Sequence, residues 1–172
     1  MKNQRKSAGF TLVETLVSLV ILVMLISVVS VGVDTAMRAY RSITFASESD
    51  LLSSTIQASL SDILRFAVCE EGDPEADGAE FSITNESYGM SKGSLFLDNE
   101  NGRIMVNLGG ASEHGSDDTF FLVNDGAYTS MKITSFTIRY ENGLFSGSYT
   151  IESANGQFTK TKDYTFRTLK AK

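Results

Sequence analysis

The chain has 172 residues and carries 21 acidic against 15 basic side chains, for a net charge of −6 at pH 7. A chain of this length forms one domain with its own core. A negative balance disfavours electrostatic binding of DNA, which needs clustered Lys and Arg. Cys69 is the single cysteine, so an intramolecular disulfide is excluded.

A short basic segment precedes a long apolar one at the N-terminus. Three cations and no acid lie in residues 1–9, and residues 10–33 are mostly apolar and contain one charged side chain, Glu14. About 20 apolar residues span the hydrocarbon of a bilayer, and cations on one flank keep that flank in the cytoplasm. The sequence therefore predicts a single-pass helix over 10–33 in the cytoplasmic membrane, with its N-terminus inside and residues 34–172 exported.

Glu14 is costly in this setting unless it has a partner. A carboxylate in the middle of a membrane helix costs about 2.5–3.5 kcal/mol, and such groups are usually paired and functional. The apolar stretch offers no Lys or Arg. Cleavage after Gly9 would give Phe10 an α-amine one turn from Glu14, on the same helix or on a neighbour. At about 4 Å and an effective dielectric near 20, such a pair is worth on the order of 4 kcal/mol before desolvation. Glu14 thus predicts that the chain is processed.

The run Gly9-Phe10-Thr11-Leu12-Val13-Glu14, followed by the apolar stretch, resembles the processing site of type IV prepilins and of the pseudopilins of type II secretion and competence systems. The resemblance implies cleavage between Gly9 and Phe10 by the prepilin peptidase, which is also the N-methyltransferase of Phe10. It also implies that Glu14 acts in filament assembly, and that the partners are other pilin or pseudopilin subunits and an inner-membrane assembly platform. Members often carry a proline in the apolar run, whereas here Gly32 is the only helix-weakening residue.

Two other interpretations of the N-terminus stay open at this point. A conventional signal peptide has an apolar core of about 7–15 residues and a small-residue cleavage site after it, but this run is longer and Ser30-Val31-Gly32 is a poor site. A plain membrane anchor fits the length but leaves Glu14 unexplained. A lipoprotein is excluded because no cysteine lies near the run.

The remainder of the chain predicts an α+β domain. Apolar residues at steps of three and four, from Ala36 through Tyr40 and Ile43 to Ala67, predict that the helix continues over 34–69 and packs on a sheet. Gly72 and Pro74 then end it. Alternating segments and two Asn-Gly turns predict an antiparallel sheet of about four to six strands over 80–170. The long N-terminal helix packed on this sheet is the pilin-like architecture that the resemblance implies.

Residues of catalytic type are sparse. His114, the one histidine, lies in a loop and is predicted to be exposed, and Cys69 is predicted to be a small half-buried residue at the helix end. Two oxygen-rich loops are weak calcium candidates because each lacks a complete set of ligands: Asp98, Glu100 and Asn101 in one, and Glu113, Asp117 and Asp118 in the other. The sequence predicts no enzyme, no cofactor and no metal site.

The function predicted from these features is structural. The chain is expected to be a minor subunit of a type IV pilus or pseudopilus, first in the bilayer and then in an extracytoplasmic filament. Loss of the three leader cations would lower the net charge from −6 to about −9, so direct nucleic-acid binding is not expected. The alternative is a membrane-anchored extracytoplasmic binding module that does not polymerise.

Overall fold

A computed structural model describes residues 11–69, 82–109 and 119–169. In the described part, one long α-helix and two single-turn 3-10 helices, Glu86–Tyr88 and Asp125–Ala127, accompany eight strands. The helix and the strands are α1 Leu12–Leu64, β1 Val68–Cys69, β2 Ile83–Asn85, β3 Met90–Asp98, β4 Arg103–Asn107, β5 Thr119–Phe121, β6 Met131–Glu141, β7 Leu144–Ser153 and β8 Thr159–Arg167.

The strands form two antiparallel sheets. The first sheet has five strands in the order β1-β2-β3-β4-β5, and the second has three in the order β6-β7-β8. Every hydrogen-bonded pair of strands is antiparallel. The predicted α+β class, a long helix with antiparallel strands, is confirmed. The strands are, however, divided between two sheets, because β6 pairs with β7, and β7 with β8, whereas β6 does not pair with β5.

The chain divides into two compact units between Thr44 and Phe45. In the first unit, the described residues 11–44 are helical from Leu12 onward, and their side chains are almost all exposed. In the second unit, the rest of α1 packs on both sheets around one hydrophobic core. Tyr40 and Ile43 were predicted to lie on the packing face, but both are strongly exposed. The buried stripe begins instead in the second unit, with Leu52, Ile56, Leu60 and Ile63 at helical spacing.

A buried polar contact fixes the helix on the three-stranded sheet. The hydroxyls of Ser53 on α1 and Tyr149 on β7 are 2.7 Å apart, and the Tyr149 hydroxyl also lies 3.1 Å from the Ser53 carbonyl oxygen. Burial is the main reason that the pKa of Tyr149 is raised, so the phenol stays protonated and can donate. A hydrogen-bonded hydroxyl pair in an apolar core specifies one register of helix on sheet, since sliding would leave both groups unpaired.

Helix α1 ends at Leu64, five residues before the predicted end. The end of the helix and the residues after it bond to groups that are distant in sequence. The Asn85 side chain of β2 donates to the Ile63 carbonyl at 2.7 Å, and the Leu169 N–H, just after β8, donates to the Arg65 carbonyl at 2.7 Å. The Thr168 hydroxyl donates to the Ala67 carbonyl at 2.8 Å. The Ile63 carbonyl would otherwise lack a partner, because the last carbonyls of a helix have none within it. The chain can therefore turn at Leu64 and enter β1.

One irregular place in the second sheet involves three neighbouring strands. Tyr164 of β8 pairs with Gly147 of β7, and its hydroxyl passes over that glycine to donate to the Thr137 carbonyl of β6 at 2.7 Å. The Thr137 hydroxyl in turn accepts from the Ser148 N–H of β7 at 2.9 Å. A Cβ on Gly147 would overlap the Thr137 carbonyl oxygen and lie 2.7 Å from the Tyr164 hydroxyl. The phenol can cross β7 only because residue 147 has no side chain.

An ion pair also joins α1 to β8. Asp50 lies 2.8 Å from the Lys160 ammonium and 3.2 Å from that of Lys162. Hydrogen bonds from these two lysines, Lys160 first, lower the pKa of the Asp50 carboxyl below its usual value of 3.8. The carboxylate is exposed and therefore screened, so its effect on stability is modest.

We expect Asp50→Asn to lower the urea midpoint of unfolding slightly at neutral pH and to make no difference in strong acid. A carboxyl whose pKa is depressed by folding stabilises the native state above its unfolded pKa, near 3.8, and this stabilisation is lost as the pH falls through the folded pKa. The measurement is the wild-type minus variant midpoint, for the full chain in detergent micelles, from pH 7 to pH 2. Asp163→Asn, an exposed carboxylate on the same strand, serves as the control. A wild-type minus Asp50→Asn difference that does not shrink below pH 4 would contradict the assignment.

Candidate functional site: the N-terminal helix

The N-terminal part of α1 is long and apolar enough to cross a membrane. From Leu12 to Val33 it rises about 33 Å, close to the ~30 Å thickness of bilayer hydrocarbon. Within the structure its apolar side chains are uncovered. Such a surface needs lipid or other helices around it, because leaving it in water is strongly unfavourable. A long apolar N-terminal helix of this kind fits membrane anchoring as in prepilins.

The hydroxyl groups in this segment are satisfied within the helix itself. Ser18 donates to the Glu14 carbonyl at 2.8 Å, and Ser27 and Ser30 donate to the carbonyls four residues before them at 2.9 Å. In hydrocarbon an unpaired polar group costs several kcal/mol, so internal hydrogen bonding makes these serines tolerable in lipid. The hydroxyl groups therefore do not prevent membrane insertion, and Glu14 is the one ionisable group between Leu12 and Val33.

Glu14 lies in the first turn of α1 and forms a capping box with Thr11. The Glu14 N–H donates to the Thr11 hydroxyl at 3.3 Å, and the Thr11 N–H donates to a Glu14 carboxylate oxygen at 3.5 Å, at the long end of the hydrogen-bond range. The Glu14 N–H also lies 3.0 Å from the Thr11 carbonyl oxygen. The reciprocal pair satisfies donors that a helix N-terminus leaves open, and the acid suits the positive end of the helix dipole.

The structure holds the Glu14 carboxylate at the start of the helix and leaves it exposed. Gly9 and Phe10, the predicted cleavage and methylation positions, lie outside the described residues. Thr11 was not among the predicted site residues, although the spacing Thr-x-x-Glu before an apolar run is the sequence signature of a capping box. The prediction for Glu14 was based on its charge and did not include its hydrogen bonds with Thr11.

Gly32 does not interrupt the helix. Helix α1 is one continuous α-helix of 53 residues that runs through this position. A Cβ at Gly32 would meet nothing within 4 Å, so the glycine is not required by close packing inside the subunit. Helix-weakening by glycine costs roughly 1 kcal/mol relative to alanine, which a long apolar helix tolerates.

The other residues singled out in the sequence form no site in the described part of the chain. Cys69 is half-buried at the end of β1. The Asp98 carboxylate accepts from the Glu100 N–H at 2.9 Å and from the Asn101 side chain at 2.7 Å, and these bonds, the Asn101 side chain first, lower its pKa. Asp98 therefore caps the β3–β4 turn. No group of three or more His, Cys, Asp or Glu suited to a metal occurs among the described residues. His114, Glu113, Asp117 and Asp118 lie outside them.

Comparison with protein families gives one match, and it falls on this helix. Residues 4–30 match the prokaryotic N-terminal methylation motif. No curated protein and no solved structure matches the chain significantly. The family that carries this motif is structural rather than catalytic. The motif, together with the long N-terminal helix and the antiparallel sheets, supports a type IV pilin-like protein.

Proposed function

We propose that the chain is a structural subunit, in a minor role, of a type IV pilus or pseudopilus. In this proposal the prepilin peptidase cuts between Gly9 and Phe10 and methylates the new amine of Phe10. The subunit waits in the cytoplasmic membrane with its N-terminus inside, and then enters an extracytoplasmic filament through α1. Its partners are other pilin or pseudopilin subunits and an inner-membrane assembly platform.

The observation that carries this proposal is a carboxylate at the start of an uncovered apolar helix. Glu14 has its N–H bonded to Thr11, which fixes the residue in the first turn, while its carboxylate stays accessible. In a filament, the α-amine of a neighbouring subunit can replace the Thr11 N–H as the partner of this carboxylate. Such a pair is worth on the order of 4 kcal/mol at about 4 Å and a dielectric near 20. It would set the axial register between neighbouring helices.

The apolar surface of α1 supports the second part of the proposal. In the bilayer, lipid covers Leu12–Val33, and in a filament the same surface has to be covered by other helices. The helix carries serines whose hydroxyls are bonded internally, so neighbouring helices would meet a surface without unpaired donors. The minor role is favoured by the missing disulfide and by the size and loops of the exported part.

The experiment is intact-mass measurement and N-terminal sequencing of the protein extracted from its own cells. We expect a chain that starts at Phe10 and is one methyl group heavier than its sequence. A chain that still starts at Met1, in cells possessing the peptidase, would contradict the proposal and favour a membrane-anchored binding module that does not polymerise. A start beyond Val33 would indicate a conventional secretory signal, and the role of Glu14 would fall with it.

A further inference from the structure

Three side chains follow the apolar span on the same helix: Arg38, Tyr40 and Arg41. We call them the juxtamembrane belt. All three are exposed and lie within the first of the two units, on continuous α-helix. Among the described residues neither guanidinium takes part in an ion pair, whereas Arg103 is bonded to Asp125 at 2.7 Å. Two unpartnered arginines and a tyrosine are thus placed just beyond a membrane-spanning segment.

The depth of the belt follows from helix geometry. Arg38 lies about 7 Å and Arg41 about 12 Å beyond Val33 along the axis, while the headgroup layer on each side of the hydrocarbon is about 5–8 Å thick. Helical side chains lean toward the N-terminus, which here is the direction of the bilayer. A long arginine side chain can therefore return its guanidinium to the headgroup level, and Tyr40 suits the same layer because its ring is amphipathic.

The charge of the belt selects the ligand. A guanidinium presents paired N–H donors that match a phosphate. The two positive charges of Arg38 and Arg41 exceed the one negative charge nearby, that of Asp34, so the net charge of this part of the helix is positive. We propose that the juxtamembrane belt binds the phosphates of anionic phospholipids in the outer leaflet of the cytoplasmic membrane while the subunit is anchored there. This inference rests on the anchoring step of the proposed function and not on filament assembly.

The chain contains no tryptophan, so Tyr40→Trp places a unique fluorophore in the belt. The full chain with this substitution is reconstituted in vesicles of phosphatidylcholine and phosphatidylglycerol in which one lipid or the other carries brominated, quenching acyl chains. Because the guanidinium groups attract anionic headgroups, we expect brominated phosphatidylglycerol to quench roughly two- to fivefold more per molecule than brominated phosphatidylcholine. The leader cations do not interfere, because α1 alone separates Leu12 from residue 40 by about 42 Å.

The arginines are tested by Arg38→Gln with Arg41→Gln in the same background, which should bring the two lipids to equal quenching. The matched control is Arg139→Gln with Arg167→Gln, which removes the same charge from exposed positions on the three-stranded sheet and should leave the preference intact. A preference that survives loss of Arg38 and Arg41, or equal quenching in the Tyr40→Trp protein, would overturn the inference.

Three further outcomes would count against the inference or the anchoring step on which it rests. If quenching falls as the protein-to-lipid ratio rises, a second copy of the chain displaces lipid from the belt, which would contradict the assignment to phospholipid. If residue 40 is unquenched by either lipid while α1 stays protected from protease in the vesicles, the belt lies outside the headgroup layer and the inference is wrong, although anchoring holds. Loss of protease protection as well would overturn the anchoring step itself. None of these three outcomes depends on Glu14 or on cleavage of the chain.

Discussion

Substituting alanine for Gly147 is expected to lower the free energy of unfolding by about 3 kcal/mol. The new methyl group would collide with the Thr137 carbonyl oxygen, which belongs to the backbone of β6 and cannot move alone. It would also displace the Tyr164 hydroxyl, which would then lose its hydrogen bond to the Thr137 carbonyl. Urea unfolding of the full chain in detergent micelles, followed by near-ultraviolet circular dichroism of the tyrosines, measures the change.

Two variants separate the causes of that loss. Tyr164→Phe removes the hydroxyl without adding bulk and should cost about 1 kcal/mol, the typical net contribution of one hydrogen bond. Gly126→Ala adds the same methyl group at an exposed glycine. There the new Cβ would lie 3.3 Å from its nearest neighbour, the Asn124 side-chain amide oxygen. We expect that variant to stay within about 0.5 kcal/mol of wild type. If Gly147→Ala behaved like Gly126→Ala, the described crossing of β7 by Tyr164 would be wrong.

Replacing Glu14 with glutamine is expected to leave processing intact and to reduce filament incorporation at least about tenfold. The reason is that the ion pair with a neighbour's amine is lost, and its net stabilisation after the cost of desolvation is still more than about 1.4 kcal/mol. Glutamine can still accept the Thr11 N–H, so the capping box survives the change. The measurement is the fraction of the chain recovered in sheared filaments relative to the membrane. Glu100→Gln removes the same charge from an exposed turn and is the matched control.

Thr11→Ala provides the converse test. It keeps the carboxylate but removes the hydroxyl that holds the Glu14 N–H, at a cost of about 1 kcal/mol to the helix start. We expect filament incorporation close to that of wild type. If Thr11→Ala failed as badly as Glu14→Gln, Glu14 would act by starting the helix, and pairing with a neighbour's amine would not be its role. Normal incorporation of Glu14→Gln would likewise show that pairing with a neighbour's amine is not the role of Glu14.

The parts of the fold that depend on local sequence could be predicted. The Asn142-Gly143 turn joins β6 to β7, with both residues at positive φ, 50° and 79°, as the dipeptide favours. The second Asn-Gly pair, at Asn155, lies in a longer connection in which only Gly156 has positive φ. Period and turn residues are thus enough to predict antiparallel hairpins in this part of the chain.

The parts that depend on distant contacts could not be predicted. Asn85 donates to the Ile63 carbonyl in the last turn of the helix, and Thr168 and the Leu169 backbone donate to carbonyls just after it. Nothing near residue 64 in the sequence signals these contacts. The crossing of Tyr164 over Gly147 depends on the register of β7 with β8, which period alone does not fix. The candidate site contains one contact of each kind, local and distant. The spacing of Thr11 and Glu14 is enough to predict the capping box, whereas the proposed pairing of Glu14 with another subunit would be a property of an assembly.

Strand β8 is attached to the second half of α1 at both ends. Lys160 and Lys162 hold Asp50, and Thr168 and Leu169 hold the backbone after Leu64. Between these attachments the helix rises about 22 Å and the strand about 26 Å, so the two run side by side in the same direction. Tension applied along α1 would therefore load both attachments, and the β7–β8 ladder behind them, in shear. Bonds loaded in shear must break together, whereas a peeled strand loses them one by one. A subunit with this geometry can be pulled by its helix without its sheet being unzipped.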